Sequence, residues 1–367
     1  MVSWVRYSAA AVILLLAGLP LGPCSPPPAP PESPETRLHA FYYGWYGTPE
    51  IDGKWMHWNH AITTADGRVE SVCKPPEDIG ADFYPASGPY SSSNPDTVNR
   101  HCAELQQAGI GVVVVSWWGK DSPADRALSP LFAAAEKTGI SISFHLEPWP
   151  GRNAESIRDA LSYLLDRWGD SPALFRWQGK PMVYVYDSYL VPDCEWAALL
   201  WPDGAYTIRG TPLDCIFIGL WVRRSHGKSL AEAGFDGFCT YFATAGFTWG
   251  STPDHWPEMA RFARITGKLF IPSVGPGYND QRIRPWNSRN YRDRQNGVYY
   301  DQMFQAAMNA NPDIISITSF NEWHEGTQIE PAVPYQTMGR VYEDYGGLPT
   351  AWYLERTRYW RDKWLQP

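Results

Sequence analysis

The chain has 367 residues, of which 44% are hydrophobic and 19% are charged, so it can bury one large core or two smaller ones and is not disordered. Its formal charge is −8 and its 31 Lys and Arg residues are scattered, which excludes an electrostatic basis for nucleic-acid binding. Aromatic residues make up 15% of the chain, a content that fits either platforms for the apolar faces of sugars or a Trp-rich core.

Residues 1–36 are predicted to precede the folded domain. Residues 1–23 combine one cation, Arg6, with an apolar run of 13 residues from Ala9 to Leu21. This run is shorter than the roughly 20 residues that a membrane-spanning helix needs, and it predicts a signal peptide or a short signal anchor. Residues 24–36 are rich in proline and predict an extended stem, so the folded domain should span residues 37–367.

The cysteines beyond the stem do not have the spacing of a metal site. They form no CxxC pair and no combination with His at zinc-finger intervals, so we predict neither a metal nor a cofactor. Cys215 and Cys239 lie in apolar, strand-like runs and are predicted to be buried thiols.

Eight short runs of apolar and β-branched residues predict β-strands along the rest of the chain. They lie at residues 39–46, 111–118, 140–149, 181–188, 215–222, 237–243, 269–278 and 314–320. Amphipathic stretches with helical spacing separate most of them, and two of these stretches end at Gly109 and Gly139, as left-handed helix caps would. Eight apolar strands alternating with helices predict an α/β fold, a single (β/α)8 TIM-type barrel with elaborated loops at its C-terminal face.

Polar and aromatic residues interrupt these runs at their C-terminal ends, where such barrels carry their active sites. These residues are Tyr43, Trp45, Tyr46, Trp117, Trp118, His145, Glu147, Trp149, Tyr186, Asp187, Trp221, Tyr241, Tyr278, Asn321, Glu322 and Glu325. We therefore expect one pocket at this face that combines aromatic walls with carboxylates.

Glu322 and Glu325 follow the last predicted strand, in the stretch ITSFNEWHEGTQIEPA at residues 317–332. Their spacing would direct them to opposite faces of a strand, but in a turn beyond the strand they can converge on one pocket. Two such carboxylates can cleave a glycosidic bond, since one protonates the leaving oxygen and the other activates a nucleophile. Trp323 and His324 could add a wall and a hydrogen bond. On spacing alone, a helix-capping acid pair without a catalytic role is the alternative.

Several long motifs of this chain resemble glycoside hydrolase family 99, the endo-α-1,2-mannosidases. The motifs are FYYGWYG, HWNH, PPEDIGADFYPASGPYSS, FHLEPW, VYDSYL, GFDGFCTYFATAGFT, IPSVGPGYNDQRIRPWN and SITSFNEWHEGTQIEPA. They follow one another in the family's order over about residues 38 to 360. The resemblance implies a (β/α)8 barrel that cleaves an internal α-1,2-mannosidic bond in high-mannose glycans, with retention and without metal.

The resemblance also implies an uncommon mechanism. One carboxylate deprotonates the 2-hydroxyl of the mannose, whose oxygen attacks C1 to form a 1,2-anhydro sugar, and a second carboxylate protonates the leaving oxygen and later activates water. Carried onto the NEWHE motif, Glu322 is the base and Glu325 is the general acid and base. We expect the base to keep a low pKa and the acid to have a raised one.

Other motif positions are expected to bind the sugar. Glu147 of HLEPW and Tyr241 of TYFAT match positions that line the family's sugar subsites, and we expect His57 and His60 of HWNH to contact substrate as well. Glu330 is followed by a proline and is expected to be structural.

The loop SWWGKDSPADRA, after the second predicted strand, bears on the substrate. It is shorter than in animal members and places Trp118 at the turn. A tryptophan there resembles the bacterial members, which accept mannose beyond the scissile residue, whereas a tyrosine with a longer loop accompanies glucose. Three functions stay open: an endo-mannosidase acting on N-glycans, glucosylated or not; a secreted endo-α-1,2-mannanase acting on fungal-type α-mannan; and a catalytically silent glycan-binding barrel.

The remaining expectations concern partners and location. We expect a monomer that binds oligomannose or α-mannan and contacts a membrane only through a possible N-terminal anchor. Its place would be the secretory pathway, in the Golgi if the source is eukaryotic, and otherwise the periplasm or the exterior.

Overall fold

A computed structural model of the protein describes residues 34–366. The predicted signal segment and most of the predicted stem lie outside the described residues. Pro34–Arg37 forms a 3-10 helix, so the last residues assigned to an extended stem belong to the folded domain instead. Arg37 explains this, because its guanidinium donates hydrogen bonds of 3.0 and 3.1 Å to the carbonyls of Asp313 and Pro312 and holds the segment against the barrel.

The core of the fold is a closed barrel of parallel strands, as predicted. In chain order the barrel strands are β1 Leu38–Tyr42, β2 Val112–Trp117, β3 Ser141–Leu146, β4 Lys180–Val185, β5 Ile216–Leu220, β6 Gly237–Cys239, β7 in two segments Leu269–Ile271 and Ser273–Val274, and β8 Ile315–Ile317. Each strand pairs with the next in the chain, and β8 pairs with β1. All eight predicted runs therefore supply a barrel strand.

The seventh strand closes the barrel in two steps. Its first segment pairs with β6 and its second with β8. Pro272 lies between the segments and has no N–H to donate to a ladder, while its carbonyl accepts a 3.0 Å hydrogen bond from Ser316 N. The break is thus local, and the ring of eight strand positions is complete.

Helices cover the outside of the barrel. They are α1 Pro49–Asp52, α2 Pro95–Ala108, α3 Pro123–Thr138, α4 Ala154–Trp168, α5 Asp193–Leu200, α6 His226–Glu232, α7 Trp256–Thr266, α8 Val298–Asn309 and α9 Trp352–Leu365. Gly109 and Gly139 end α2 and α3 in the left-handed conformation, which confirms the predicted caps. Within residues 34–366, none of the helices combines the length and the apolar character that a bilayer crossing would need.

The loops at the C-terminal ends of the strands carry most of the additional structure, whereas Arg176–Trp177 precedes β4 and pairs with its first residues. The short strands are Ala61–Thr63, Val69–Val72, Tyr84–Pro85, Arg176–Trp177, Ala332–Val333, Gln336–Thr337 and Arg340–Val341, and the remaining 3-10 helices are Ser188–Leu190, Pro253–His255, Ser288–Asn290 and Gln295–Gly297. The longest such loops follow β1, β7 and β8. They surround the mouth of the barrel and position the site described below.

The barrel strands are largely buried and carry both apolar and polar side chains, among them His39, Ser143 and Ser316. All six residues of β2 are buried, as expected for a parallel strand that is covered on both faces. Cys215 and Cys239 are buried free thiols, as predicted, and Cys73 and Cys102 are buried free thiols as well.

Candidate active site

A cleft at the C-terminal face consists of two adjoining cavities, the first of about 490 Å³ and the second of about 320 Å³. The first cavity is lined by Tyr43, Trp45, His57, His60, Trp118, Pro123, Ala124, Glu147, Tyr186, Tyr241, Ile283, Arg284, Glu322, His324 and Glu325. The second is lined by Tyr186, Tyr241, Phe242, Ala243, Thr244, Phe247, Tyr278, Arg284, Trp286, Asn287, Asn290, Thr318 and Glu325. Glu325 is one of the residues that both cavities share.

The two predicted acids converge on the first cavity because β8 ends at Ile317 and the chain then turns back. Glu322 N donates a 2.7 Å hydrogen bond to Ser319 Oγ, and His324 N donates 3.0 Å to Glu322 Oε1. Asn279 N donates 2.8 Å to the carbonyl of Glu325. Hydrogen bonds from the loop itself and from the β7–α8 loop therefore hold both carboxylates at the strand end, as the i, i+3 spacing in a turn allows.

Burial dominates the electrostatics of this pair. It raises the pKa of Glu322 well above its ordinary value, and the neighbouring charge of Glu325 adds to the shift. Burial also raises the pKa of Glu325 to about 7, against the opposing effect of Arg284, whose Nη1 lies 3.9 Å from Glu325 Oε1. The expectation that Glu322 keeps a low pKa is therefore wrong. Because the pKa of both acids is raised, the pair retains a proton near neutral pH. The two carboxyls interact, so each of the two ionisation steps is a property of the pair and not of one residue.

Three histidines form one wall of the first cavity. His324 Nδ1 lies 2.7 Å from the carbonyl of Gly80 and must donate its proton there, so Nε2 carries a lone pair. That buried Nε2 finds no hydrogen-bond partner among the residues described. Burial and the nearby rings of His60 and His57 lower the pKa of His324 well below its usual range. A neutral imidazole whose Nε2 carries a lone pair is suited to accept a hydrogen bond from a sugar hydroxyl.

Two phenols lie between the cavities and the barrel interior. The hydroxyls of Tyr43 and Tyr241 share a short hydrogen bond, and burial raises the pKa of both groups well above the ordinary tyrosine value. Tyr241 has a left-handed backbone with φ of 50°, which a tyrosine adopts only where its surroundings impose it. Both phenols therefore stay neutral, and because one of them donates to the other, the pair has one proton left to donate to a bound hydroxyl oxygen.

Four residues that were expected to touch the substrate lie instead behind the wall of the cleft. They are Tyr46, Trp117, Asn321 and Trp323, each at most 2% exposed. Asn321 pairs its side-chain amide with the backbone N and O of Tyr43 at 2.7 and 3.0 Å. Trp323 Nε1 donates to Glu330 Oε2, and Trp323 N donates to the hydroxyl of Tyr46. The prediction that these four residues contact substrate is therefore wrong, and they support the residues that line the cavities.

The alternation of side chains along β2 explains the case of Trp117. Its indole points outward and donates a 2.9 Å hydrogen bond to Asp125 on α3, whereas Ser116 points to the cleft. Because successive side chains of a strand point to opposite faces, the sequence could have shown that Trp117 does not face the cavity if Ser116 does. Asp187 is also absent from both linings, and its backbone carbonyl accepts a 2.8 Å hydrogen bond from Arg152 Nη2.

The structure places the other predicted binding residues on the cavity walls. Tyr43, His57, His60, Trp118, Glu147, Tyr186, Tyr241, Tyr278 and His324 line one or both cavities. Arg284, Trp286 and Phe247 also line them but were not selected from the sequence. Arg284 and Trp286 lie in the motif IPSVGPGYNDQRIRPWN and Phe247 lies in the motif GFDGFCTYFATAGFT, so the resemblance carried a signal for all three.

One group of side chains has the composition of a metal site, but it lies outside the cleft. His101, Glu104 and Glu330 place ligand atoms close together. His101 Nε2 already lies 3.0 Å from Glu330 Oε1, and Arg100 lies 3.8 Å from the same oxygen, which opposes a cation there. Neither cavity lining contains any of these three residues.

Comparisons with known proteins agree with this geometry. The model of "Glycosyl hydrolase family 99" matches residues 34–366. A mouse protein named glycoprotein endo-alpha-1,2-mannosidase is 43% identical over 343 residues, 89% of this chain and 74% of that one, and a human glycoprotein endo-alpha-1,2-mannosidase-like protein is 42% identical, covering 93% and 78%. The solved GH99 endo-alpha-mannosidase of Bacteroides thetaiotaomicron superposes with a TM-score of 0.87 at 45% identity, covering 89% of this chain and 97% of that one.

Proposed function

The chain belongs to glycosyl hydrolase family 99, and we propose that it is a retaining endo-α-1,2-mannosidase in which Glu322 and Glu325 carry the reaction. The observation that supports this most directly is the position of the two acids. Both line the first cavity, and Glu325 alone of the two also lines the second.

This difference assigns a direction to the substrate. A general acid must lie beside the oxygen of the leaving group, so the leaving sugars belong in the second cavity, next to Glu325. The scissile mannose and the sugars on its non-reducing side then occupy the first cavity, which contains Glu322. Trp286 and Phe247, which are 48% and 46% exposed, offer apolar faces to the leaving sugars.

The role assignment follows from these positions rather than from the pKa values, because burial raises both. Glu322 takes the proton of the mannose 2-hydroxyl, and that oxygen forms a bond to C1 as the bond from C1 to the leaving oxygen breaks. Glu325 gives its proton to the leaving oxygen. In the second step Glu325 takes a proton from water, the water oxygen bonds to C1 and opens the anhydro ring, and Glu322 returns its proton to the 2-oxygen. Two inversions at C1 give retention.

Neutral side chains of the remaining walls bind hydroxyl groups of the sugar. Nε2 of His324 accepts a hydrogen bond from a sugar hydroxyl, and the Tyr43–Tyr241 pair donates its remaining phenol proton to a hydroxyl oxygen. Arg284 and Glu147 are the charged groups that flank the acid pair in the first cavity. We propose that these neutral contacts orient the mannose so that its 2-oxygen reaches C1 in line with the departing bond.

The nature of the sugar beyond the scissile mannose decides between an N-glycan and an α-mannan substrate. We propose that Trp118, which lines the first cavity and is 44% exposed, contacts this sugar. We propose that the protein acts in the secretory pathway, in the Golgi if the source is eukaryotic, and that it is otherwise secreted or periplasmic. We also propose that it is a monomer. A catalytically silent barrel is not favoured, because both carboxylates are present and face the cavity.

The test offers the protein a glucosylated high-mannose glycan and a yeast-type α-mannan, and identifies the released oligosaccharides by mass spectrometry. We expect release of a disaccharide from the non-reducing end with retained α configuration. The double variant Glu322→Gln with Glu325→Gln serves as the control for contaminating hydrolases. Binding of either glycan without release over a long incubation would overturn the enzymatic proposal.

A further inference from the structure

We propose that Ser116 is a positioning residue that fixes the orientation of Trp118 through a hydrogen-bonded relay ending at Glu147, and that this relay sets the preference for the sugar bound beside Trp118. The inference rests on the proposed function, since it concerns the selectivity of the same cleft. It assigns to a buried serine an effect on a residue that is largely exposed.

The relay is visible as two hydrogen bonds. Ser116 lies one residue before the end of β2 and is 1% exposed. Its Oγ lies 2.7 Å from Glu147 Oε1, and Trp118 Nε1 lies 2.9 Å from the same Oγ. Trp118 and Glu147 both line the first cavity, whereas Ser116 does not.

The chemistry of the three groups gives the relay a single direction. An indole N–H can only donate, so Ser116 Oγ must accept from Trp118. The serine hydroxyl has one proton, and Glu147 Oε1 accepts it. His145 Nδ1 lies 3.4 Å from this oxygen without forming a hydrogen bond. Ser116 is therefore the side-chain hydrogen-bond donor that the described residues supply to Glu147.

Packing alone does not determine the orientation of Trp118. Its side chain is 44% exposed, and its nearest aromatic neighbour among the described residues, Trp45, lies at 6.1 Å between ring centroids with a tilt of 37°. Gly119 follows with φ of 101°, and it has no side chain that could pack against the indole. The hydrogen bond to Ser116 is thus the contact that selects one indole rotamer at the wall of the cavity.

The experiment measures kcat and KM for two substrates that differ only in the sugar next to the scissile mannose, which is glucose in one and mannose in the other. Ser116→Ala should raise KM by roughly 3- to 10-fold, the range for losing one or two hydrogen bonds, and change kcat by less than about threefold. The ratio of kcat/KM between the two substrates should move toward one. Trp118→Phe keeps an aromatic wall without the N–H and should have the same effect.

A double-mutant cycle separates this relay from a structural role of the serine. If Ser116 acts through the indole, the combination of Ser116→Ala with Trp118→Phe should cost no more than the larger single change. Ser116→Cys keeps the side-chain volume but is a weak donor, so it repeats the cycle should the alanine variant fail to fold. Ser143→Ala is the matched control, because Ser143 is a buried barrel serine that donates 2.7 Å to the carbonyl of Met182.

The outcomes distinguish failure of the Ser116 relay from failure of the proposed mannosidase function. Additive losses in the cycle, or equal losses on both substrates, would overturn the relay while leaving the enzyme assignment intact. Absence of turnover by the unaltered protein on both substrates would instead overturn the proposed function.

Discussion

Trp323 Nε1 donates a 2.9 Å hydrogen bond to Oε2 of Glu330, and both side chains are buried beneath the turn that carries the two acids. Oε2 of Glu330 also accepts a 2.7 Å hydrogen bond from the hydroxyl of Tyr90, and Oε1 lies 3.0 Å from His101 Nε2. Glu330 therefore links Trp323, which lies between Glu322 and Glu325 in the chain, to His101 on helix α2. Glu330 thus has the structural role that was expected from the sequence, and it supports the site through its hydrogen bond with Trp323.

The first prediction concerns this anchor. Glu330→Ala should destabilise the protein by about 3 to 5 kcal/mol, because it leaves several buried donors without an acceptor. It should also lower kcat, since Trp323 no longer holds the turn. Thermal unfolding and kinetics on the same preparation provide the measurement. Glu70→Gln, at an exposed acid on the hairpin after β1, should change neither quantity. A fully active and equally stable Glu330→Ala variant would contradict the anchoring role.

The second prediction concerns pH and follows from the raised pKa of about 7 at Glu325. As a general acid Glu325 must be protonated, so kcat/KM should fall as pH rises through about 7. Stability has the same sign. A carboxyl whose folded pKa is raised contributes stability below its unfolded pKa of about 4.5, and this contribution is lost as pH rises to about 7.

Removal of the charge tests the stability half of this prediction. Glu325→Gln should be more stable than the unaltered protein above roughly pH 8, by on the order of 2 kcal/mol, with little difference below about pH 4. Unfolding in denaturant at several pH values measures the difference. Parallel stability curves for the two proteins would show that burial does not raise this pKa.

The barrel could be predicted from the sequence because each strand is a local run of apolar residues, and Gly109 and Gly139 mark helix ends by their own backbone preference. The acid pair could be predicted for a similar reason, since Glu322 and Glu325 lie three residues apart. The outward direction of Trp117 follows from the alternation of side chains along β2, whereas the burial of Trp323 depends on packing between segments far apart in the chain. That packing leaves no mark within one segment.

The pKa of Glu322 illustrates the same limit. The mechanism suggested a base of low pKa, but the raised pKa results from burial by residues of many loops and from the charge of Glu325. Arg284 likewise reaches the cleft from the long loop after β7, where neither helical nor strand periodicity predicts which side chain faces inward.

The third prediction concerns metal. The proposed steps move protons between carboxylates, the sugar and water, so prolonged chelator treatment should leave kcat and KM unchanged. A loss restored by a divalent ion would contradict this and would direct attention to His57 and His60. The double change His57→Gln with His60→Gln, which removes these imidazoles, would show whether the restored activity depends on them.

The fourth prediction concerns the N-terminal boundary. A chain that begins at Arg37 should fold and keep full activity, because it retains β1 and the contacts of Arg37, including its position 4.5 Å above the ring of Trp364. It loses the carbonyl of Thr36, which His39 Nε2 approaches at 3.0 Å, so it should be about 1 kcal/mol less stable than a chain that begins at Pro34. A chain that begins at His39 lacks buried Leu38 and should unfold. Circular dichroism and activity of the three chains decide the boundary.

The fifth prediction separates the roles of the two acids. Glu325→Gln should lose roughly 3 to 5 kcal/mol of transition-state stabilisation on natural substrates, whose sugar leaving group needs a proton, and should recover partly on a glycosyl fluoride, whose leaving group needs little acid. Glu322→Gln should be inactive on both, because without a base the 2-oxygen never becomes the nucleophile. A substrate that lacks the 2-hydroxyl should bind the unaltered protein but not react. A covalent double displacement would give the opposite results, namely turnover of the 2-deoxy substrate and a glycosyl ester on Glu322 that mass spectrometry detects after trapping. Since Glu322 lines the first cavity only and Glu325 lines both, exchange of the two roles would require the leaving sugars in the first cavity, and recovery of Glu322→Gln on the fluoride would reveal it.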